Sequence, residues 1–356
     1  MTTDLFGTSR PTTFQVPVVD IGPYVGPGTS QQRAETAAAV DHACRTVGFI
    51  QIVGHGVAQS TIDGLTAAMD DFFCLPLDVK KESVIAGVNR GYSAPRTEQL
   101  SLSLGVGSAT RMNDFFEAFN IGQGVDAYPD LDLPPEHYAD NVWPVGVPGF
   151  AEGALTWFAE AGRVARTLTV IFADALGLPA GYFGEFTDHS LDVLRMNNYA
   201  LPPGEIELVG DLTGMGEHTD FGIVTVLWAD RVAGLQVLAE DGSWHDVLPE
   251  PGALLVNLGD LTARWTNEVW RSTLHRVKPP VVDGRIERRR SAAYFHDGNV
   301  DAVIATLPGV VGPGDVELYP PVTVAEHISS KLNGSRNLVS NDRATREAQR
   351  VLDSAV

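Results

Sequence analysis

The sequence predicts an all-β sandwich or jelly roll with helices on its flanks. Beyond residue 190, short apolar runs recur with turn residues between them, at 192–199, 222–229, 234–239, 244–248, 253–258, 272–277 and 289–296. Runs of that length and spacing suit the strands of a sandwich or barrel. Earlier in the chain, and again beyond residue 320, apolar residues recur at helical spacing instead.

Each element has its own signal. Phe14 to Ile21 suits an edge strand, where Pro17 is tolerated. Gln31 to Val47 has helical spacing, and Gly48 to Val53 is a buried strand closed by Gly54-His55-Gly56. Ser60 and Thr61, with Asp63 behind them, open a helix over Ile62 to Phe73. Gly91, Pro95 and the Ser/Gly-rich run 101–108 predict a loop region from Gly91 to about residue 110. Prolines at 129, 134, 135, 144 and 148 make residues 124–148 a long connection. A long helix is expected over 153–176, with Leu155, Phe158, Ala165 and Phe172 on one stripe. Gly162 interrupts that stripe at a cost of about 1 kcal/mol against alanine, which a close helix neighbour would explain. Residues 322–335 and 341–354 are helical in pattern. No repeat and no Gly/Ser linker divides the chain. The expected organisation is one catalytic unit: a mostly helical region 1–190, a jelly-roll core 191–300 and a helical cover 301–356.

Composition narrows the function. With 356 residues, 44% hydrophobic and 20% charged, the chain can bury a large core. Its net charge of −20 repels phosphate backbones, so no nucleic-acid partner is expected. No apolar stretch is long enough to span a bilayer, and Met1 to Arg10 lacks the pattern of a secretory signal, so no membrane partner is expected either. Cys44 and Cys74 fall in expected helices and suit two buried free thiols, which fits a reducing cytoplasm. Oligomeric state has no signal.

Three same-face pairs carry the chemistry. His218-Thr219-Asp220, with His275 far downstream, supplies two imidazoles and one carboxylate, the ligand set of an iron(II) site with open positions. On a strand His218 and Asp220 point to one face and Thr219 to the other. The same donors could hold zinc in a jelly-roll hydrolase or binding protein. Arg289 and Ser291 also share a face, where a buried arginine can grip a carboxylate and a hydroxyl can assist, although a solvated strand end has the same pattern. Asn197 and Tyr199 form a third such pair, suited either to a carboxylate near the metal or to a polar strand end.

Ordered motifs extend this pattern over most of the chain. They are Val16 to Asp20, Cys44 to Phe49, Gly54-His55-Gly56-Val57, Phe72 to Pro76, Gly91-Tyr92, Asn141-Val142-Trp143-Pro144, Gly234 to Val237, and Val256 to Asp260 leading to Ser272–Val277. The chain thereby resembles the non-haem iron(II)- and 2-oxoglutarate-dependent dioxygenases of the isopenicillin N synthase-like group. The resemblance implies a double-stranded β-helix with Fe(II), 2-oxoglutarate and O2. His218, Asp220 and His275 would be the iron ligands, Arg289 and Ser291 the grip on the distal carboxylate of 2-oxoglutarate, and Asn197 and Tyr199 neighbours of its other end. Asn198 departs from plant relatives, which often carry tyrosine there. The implied reaction hydroxylates, desaturates or cyclises a small molecule, releasing succinate and CO2. An oxidase that uses iron and O2 without 2-oxoglutarate, like isopenicillin N synthase itself, is the alternative within the group. Substrate candidates are Arg111, Asp114, Phe116, Phe221, Trp228, Phe295 and His296, with Glu117 and Leu227 beside them. A helix around His327 to Asn333 is expected to close over the pocket.

Overall fold

The computed structural model describes residues 14–95, 97–98, 100–104, 116–200, 214–278, 281–282, 285–312, 314–337, 341 and 346. The chain opens with β1 (Val18–Asp20), α1 (Gly22–Val25), α2 (Ser30–Thr46), β2 (Phe49–Val53), α3 (Gln59–Phe73) and α4 (Leu77–Lys81). β3 (Gly91–Ser93) and β4 (Glu117–Gly122) precede the long α5 (Phe150–Ala175). Then come β5 (Val193–Tyr199), β6 (Met215–His218), β7 (Val224–Ala229), β8 (Leu235–Leu238), β9 (Trp244–Asp246) and β10 (Leu254–Leu258). After α6 (Asp260–Trp265) follow β11 (His275–Val277), β12 (Val281–Val282), β13 (Arg285–Ile286) and β14 (Arg289–His296). The remainder is β15 (Val303–Ile304), β16 (Val322–Thr323) and α7 (Val324–Asn337).

Two sheets form the jelly roll. The larger has the order β1-β2-β10-β7-β14-β5-β4-β3, and the smaller β6-β11-β8-β9. Apart from the parallel β1–β2 pair, the described pairings are antiparallel. Register fixes which side chains look inward. β14 pairs with β5 so that Arg289 faces Tyr199 and Ser291 faces Asn197. On its other edge β14 pairs with β7, setting Ala293 against Leu227. A strand shifted by one residue would turn every one of these side chains outward.

α2, α3 and α5 pack on the large sheet. α2 starts at a capping box, in which the Thr29 hydroxyl accepts from the Gln32 N–H and the Gln32 side chain accepts from the Thr29 N–H. α5 buries Trp157, Ala161, Val164, Leu168 and Phe172 on one stripe against the core. Gly162 does lie against a close neighbour, but a strand residue rather than a helix. A Cβ there would stand 2.6 Å from the Tyr294 hydroxyl on β14.

Most of the expected strands beyond residue 190 lie within a residue or three of their observed ends. β6 falls within the stretch between two apolar runs that the pattern left unassigned. The segment Gly91–Ser93 is a strand, not the start of a loop, because it pairs with β4 through Tyr92 opposite Phe119. β1 to β4 all join the large sheet, so the N-terminal part of the chain supplies strands as well as helices. Cys44 is buried in α2 as expected, but Cys74 sits exposed at the end of α3. The expected helix 341–354 lies outside the described residues apart from two positions.

Candidate active site

β6 and β11 pair side by side, with His218 directly opposite His275. Their rings stand 4.3 Å apart, centre to centre. β6 ends at His218, so Asp220 lies just beyond the strand rather than on it. The expected alternation survives that turn. The Asp220 Oδ1 atom is 3.8 Å from the His218 Nε2 and 3.7 Å from the His275 Nε2. The Thr219 hydroxyl points away and donates to Asp260. Among the described residues this is the one group of three or more histidine, cysteine or acidic side chains with donor atoms mutually within 4.8 Å.

Each donor is oriented from behind. The Nδ1 of His218 lies 2.8 Å from the Gly216 carbonyl, and that of His275 lies 3.1 Å from the Thr273 carbonyl. A carbonyl only accepts, so Nδ1 carries the proton in both rings and Nε2 keeps its lone pair for the centre of the site. Asp220 Oδ2 accepts from the Thr225 hydroxyl and, at 2.7 Å, from the Asn257 side chain. That leaves Oδ1 turned toward the two imidazoles. Burial, followed by the charge of neighbouring His275, lowers the His218 pKa to about 3, so its ring is neutral as a ligand must be.

Arg289 and Ser291 stand on the same cavity wall, both 2% exposed. Arg289 Nε and Nη1 are buried without a hydrogen-bond partner among the described residues. A guanidinium in that state calls for a ligand, since a buried unpaired charge is costly. The Tyr199 ring lies 5.3 Å from its central carbon. Asn197 donates to the Ser291 hydroxyl at 3.4 Å. Arg290 faces the opposite way and bonds Asp70 and Asp230. Asn198, on that same outer face, donates to Glu117.

The substrate candidates divide. Phe221, Leu227 and Phe295 line the cavity beside the His–Asp–His group. Phe116 is buried against Tyr199 and Arg195 and does not line it. Trp228 and His296 are corrections: both have the outward parity of the strands that carry them. Trp228 lies under the Arg290 guanidinium, and His296 Nδ1 is held 2.8 Å from Asp192 in the core. Glu117 is bound to Lys80, Tyr92 and Asn198, a structural network behind β4. Arg111 and Asp114 lie outside the described residues. α7 does reach the cavity, through Ile328, Leu332 and Ser335.

Sequence reasoning missed Arg195, Glu98, Asn257 and Asp297. The first and last were accessible from strand parity: Arg195 continues the 197–199 alternation, and Asp297 continues 289-291-293-295. Glu98 and Asn257 reach the site only through tertiary packing.

Two largely antiparallel sheets around a His–Asp–His group, with an arginine whose Nε and Nη1 have no partner among the described residues, define a jelly-roll oxygenase of the non-haem metal class. Comparison with known proteins places the chain within that class. Residues 191–298 match the 2OG-Fe(II) oxygenase superfamily, and residues 16–146 match the N-terminal region described as non-haem dioxygenase in morphine synthesis. The chain is 32% identical over 320 residues to the 2-oxoglutarate-Fe(II) type oxidoreductase hxnY of Emericella nidulans, spanning 88% of each. It is 33% identical to validamycin A dioxygenase of Streptomyces hygroscopicus subsp. limoneus, covering 90% of this chain and 86% of that protein. A full-length Neurospora crassa protein, solved in complex with alpha-KG and thymine, superposes with a TM-score of 0.77 at 28% identity, over 89% of this chain and 96% of that one. The chain belongs to the 2OG-Fe(II) oxygenase superfamily and is an iron(II)- and 2-oxoglutarate-dependent oxygenase.

Proposed function

We propose that His218 Nε2, Asp220 Oδ1 and His275 Nε2 hold the iron, and that Arg289 with Ser291 binds the distal carboxylate of 2-oxoglutarate. The observation that carries this reading is that both groups face one cavity. Three converging donors suit a metal that keeps open positions. The buried Nε and Nη1 donors of Arg289, without a partner among the described residues, suit an anionic ligand.

The bound iron and 2-oxoglutarate supply the oxidation, in which O2 and 2-oxoglutarate become succinate and CO2 while a small molecule is oxidised. The protein's own contribution is positional. The Gly216 and Thr273 carbonyls keep the Nδ1 protons in place and set the ring planes. Thr225 and Asn257 hold Asp220 so that a single oxygen faces the metal position. Asn197 and Tyr199 flank the anion grip and orient the cosubstrate. The apolar walls, including Phe49, Leu235 and Val277, keep water from the reacting carbon.

The substrate we propose is a small organic molecule, in keeping with the name of validamycin A dioxygenase and with the thymine in the Neurospora crassa complex. Among the described residues no helix is long and apolar enough to cross a membrane. Two unpaired thiols support a reducing cytoplasm as the compartment. One catalytic unit over the whole chain fits the way β1 to β4 complete the large sheet.

The test is succinate release from 2-oxoglutarate by protein reconstituted with iron(II), compared with zinc. Iron- and 2-oxoglutarate-dependent release that vanishes, together with metal binding, in His218→Ala supports the ligand assignment. Full activity in that variant refutes it.

A further inference from the structure

The cavity that holds the metal ligands continues into a second one, which runs between the 81–98 segment and α7. Asp297 lies at their junction and lines both. It stands one residue past β14, on the parity of Arg289, Ser291 and Phe295. The chain makes room for it at Gly222, where a Cβ would collide with its Oδ1 and Cα.

The other charged groups of this cavity are accounted for. Arg195 is bound to Glu98 at 2.9 Å and to Asn197 at 3.1 Å. Asp220 belongs to the iron site, and Arg289 to 2-oxoglutarate. Asp297 is 7% exposed, and no described residue donates a hydrogen bond to its carboxyl. A buried acid with no donor, opening onto a substrate channel, is stabilised by a cationic partner more than by any other group. The chain as a whole carries −20, which favours the approach of cations.

We infer that Asp297 selects the molecule to be oxidised, a small compound with a basic nitrogen whose N–H groups bond the Asp297 carboxylate at the mouth of the iron cavity. The inference rests on the reading of this cavity as the oxygenase site. It places the nitrogen on the α7 side of the pocket and presents the apolar remainder toward Phe221 and Phe295.

The test uses matched probes that differ in the nitrogen alone: benzylamine with benzyl alcohol, cyclohexylamine with cyclohexanol, and tryptamine with tryptophol. Binding is read by calorimetry on wild-type, Asp297→Asn and Asp297→Ala proteins whose melting temperatures show them folded. No turnover is needed, so a failure of iron or 2-oxoglutarate chemistry is seen separately, in succinate release. The expected result is that the wild type prefers the amine of at least one pair by about 10- to 100-fold, the range of a hydrogen bond to a charged group. Asp297→Asn, which keeps the shape and removes the charge, should abolish that preference. Equal binding of amine and alcohol in every pair overturns the inference, as does a preference that survives in Asp297→Asn. If Asp297→Ala proves unfolded, the Asn variant decides alone.

Discussion

Asn257 donates to Asp220 Oδ2 at 2.7 Å, from β10 across to the loop behind β6. One oxygen of the carboxylate is thereby occupied, and the other faces the two imidazoles. Removing that donor leaves the Thr225 hydroxyl to hold that oxygen alone. Asn257→Ala should therefore weaken iron(II) binding by about 10- to 100-fold, the usual cost of losing a partner behind a metal ligand. Competition with a metal-chelating dye measures it. Unchanged affinity would show that Thr225 alone holds the carboxylate.

Neighbouring arginines on β14 should separate cleanly. Arg289→Ala ought to raise the apparent Kd for 2-oxoglutarate at least about tenfold, since it deletes charge-assisted hydrogen bonds worth roughly 1.5–3 kcal/mol. Iron affinity should hold. Arg290 points to Asp70 and Asp230 on the outer face. Its pair with Asp70 is partly exposed, so Arg290→Ala should cost no more than about 1 kcal/mol of stability, with 2-oxoglutarate binding intact. Calorimetric titration with 2-oxoglutarate distinguishes them, and equal losses would mean the strand register is wrong.

Replacing Gly162 by alanine should destabilise the fold despite alanine's better helix propensity. The added methyl would meet the Tyr294 hydroxyl, which donates to Asp192 at 2.6 Å. Crowding of this kind costs about 1–3 kcal/mol, against about 1 kcal/mol gained in the helix. A melting temperature at or above that of wild type would show that Tyr294 moves without penalty.

His327 on α7 predicts a pH dependence. Burial, then the charge of Lys331, lowers its pKa from 6.5 to about 3. The folded state thus binds fewer protons than the unfolded state between those values. Stability is complete above pH 6.5 and falls as pH drops toward 3, with a slope from this one group of about 1.4 kcal/mol per pH unit. His327→Gln removes the titrating group while keeping a polar side chain. Its stability, followed by denaturant unfolding of the metal-free protein, should fall less steeply with acid than that of wild type.

The parts of the site that lie on strands were legible as period-two pairs. Alternation across a sheet put Arg289 with Ser291 and Asn197 with Tyr199 on shared faces, while their expected roles came from the family resemblance. The same rule, extended by one step, reaches Asp297. By the same rule His296 and Trp228 have the opposite parity and turn away from the cavity. Gly91–Ser93 carries no readable alternation, because the strand is only the three residues Gly91-Tyr92-Ser93. Its strand character comes from β4 alongside.

The order of apolar runs and turn residues specified the two-sheet fold. Local alternation put His218 and Asp220 on one face with His275 downstream, and the ordered family motifs made that set the expected metal ligands. Packing settled what local pattern cannot encode. It brought β6 against β11 so that three donors converge within 4.8 Å, and it left Arg289 Nε and Nη1 without a partner among the described residues. It also closed Asp192 over His296, and opened the cavity at Asp297. Those outcomes depend on contacts between segments far apart in sequence, where distance and burial, not spacing, determine which groups are satisfied and which await a ligand.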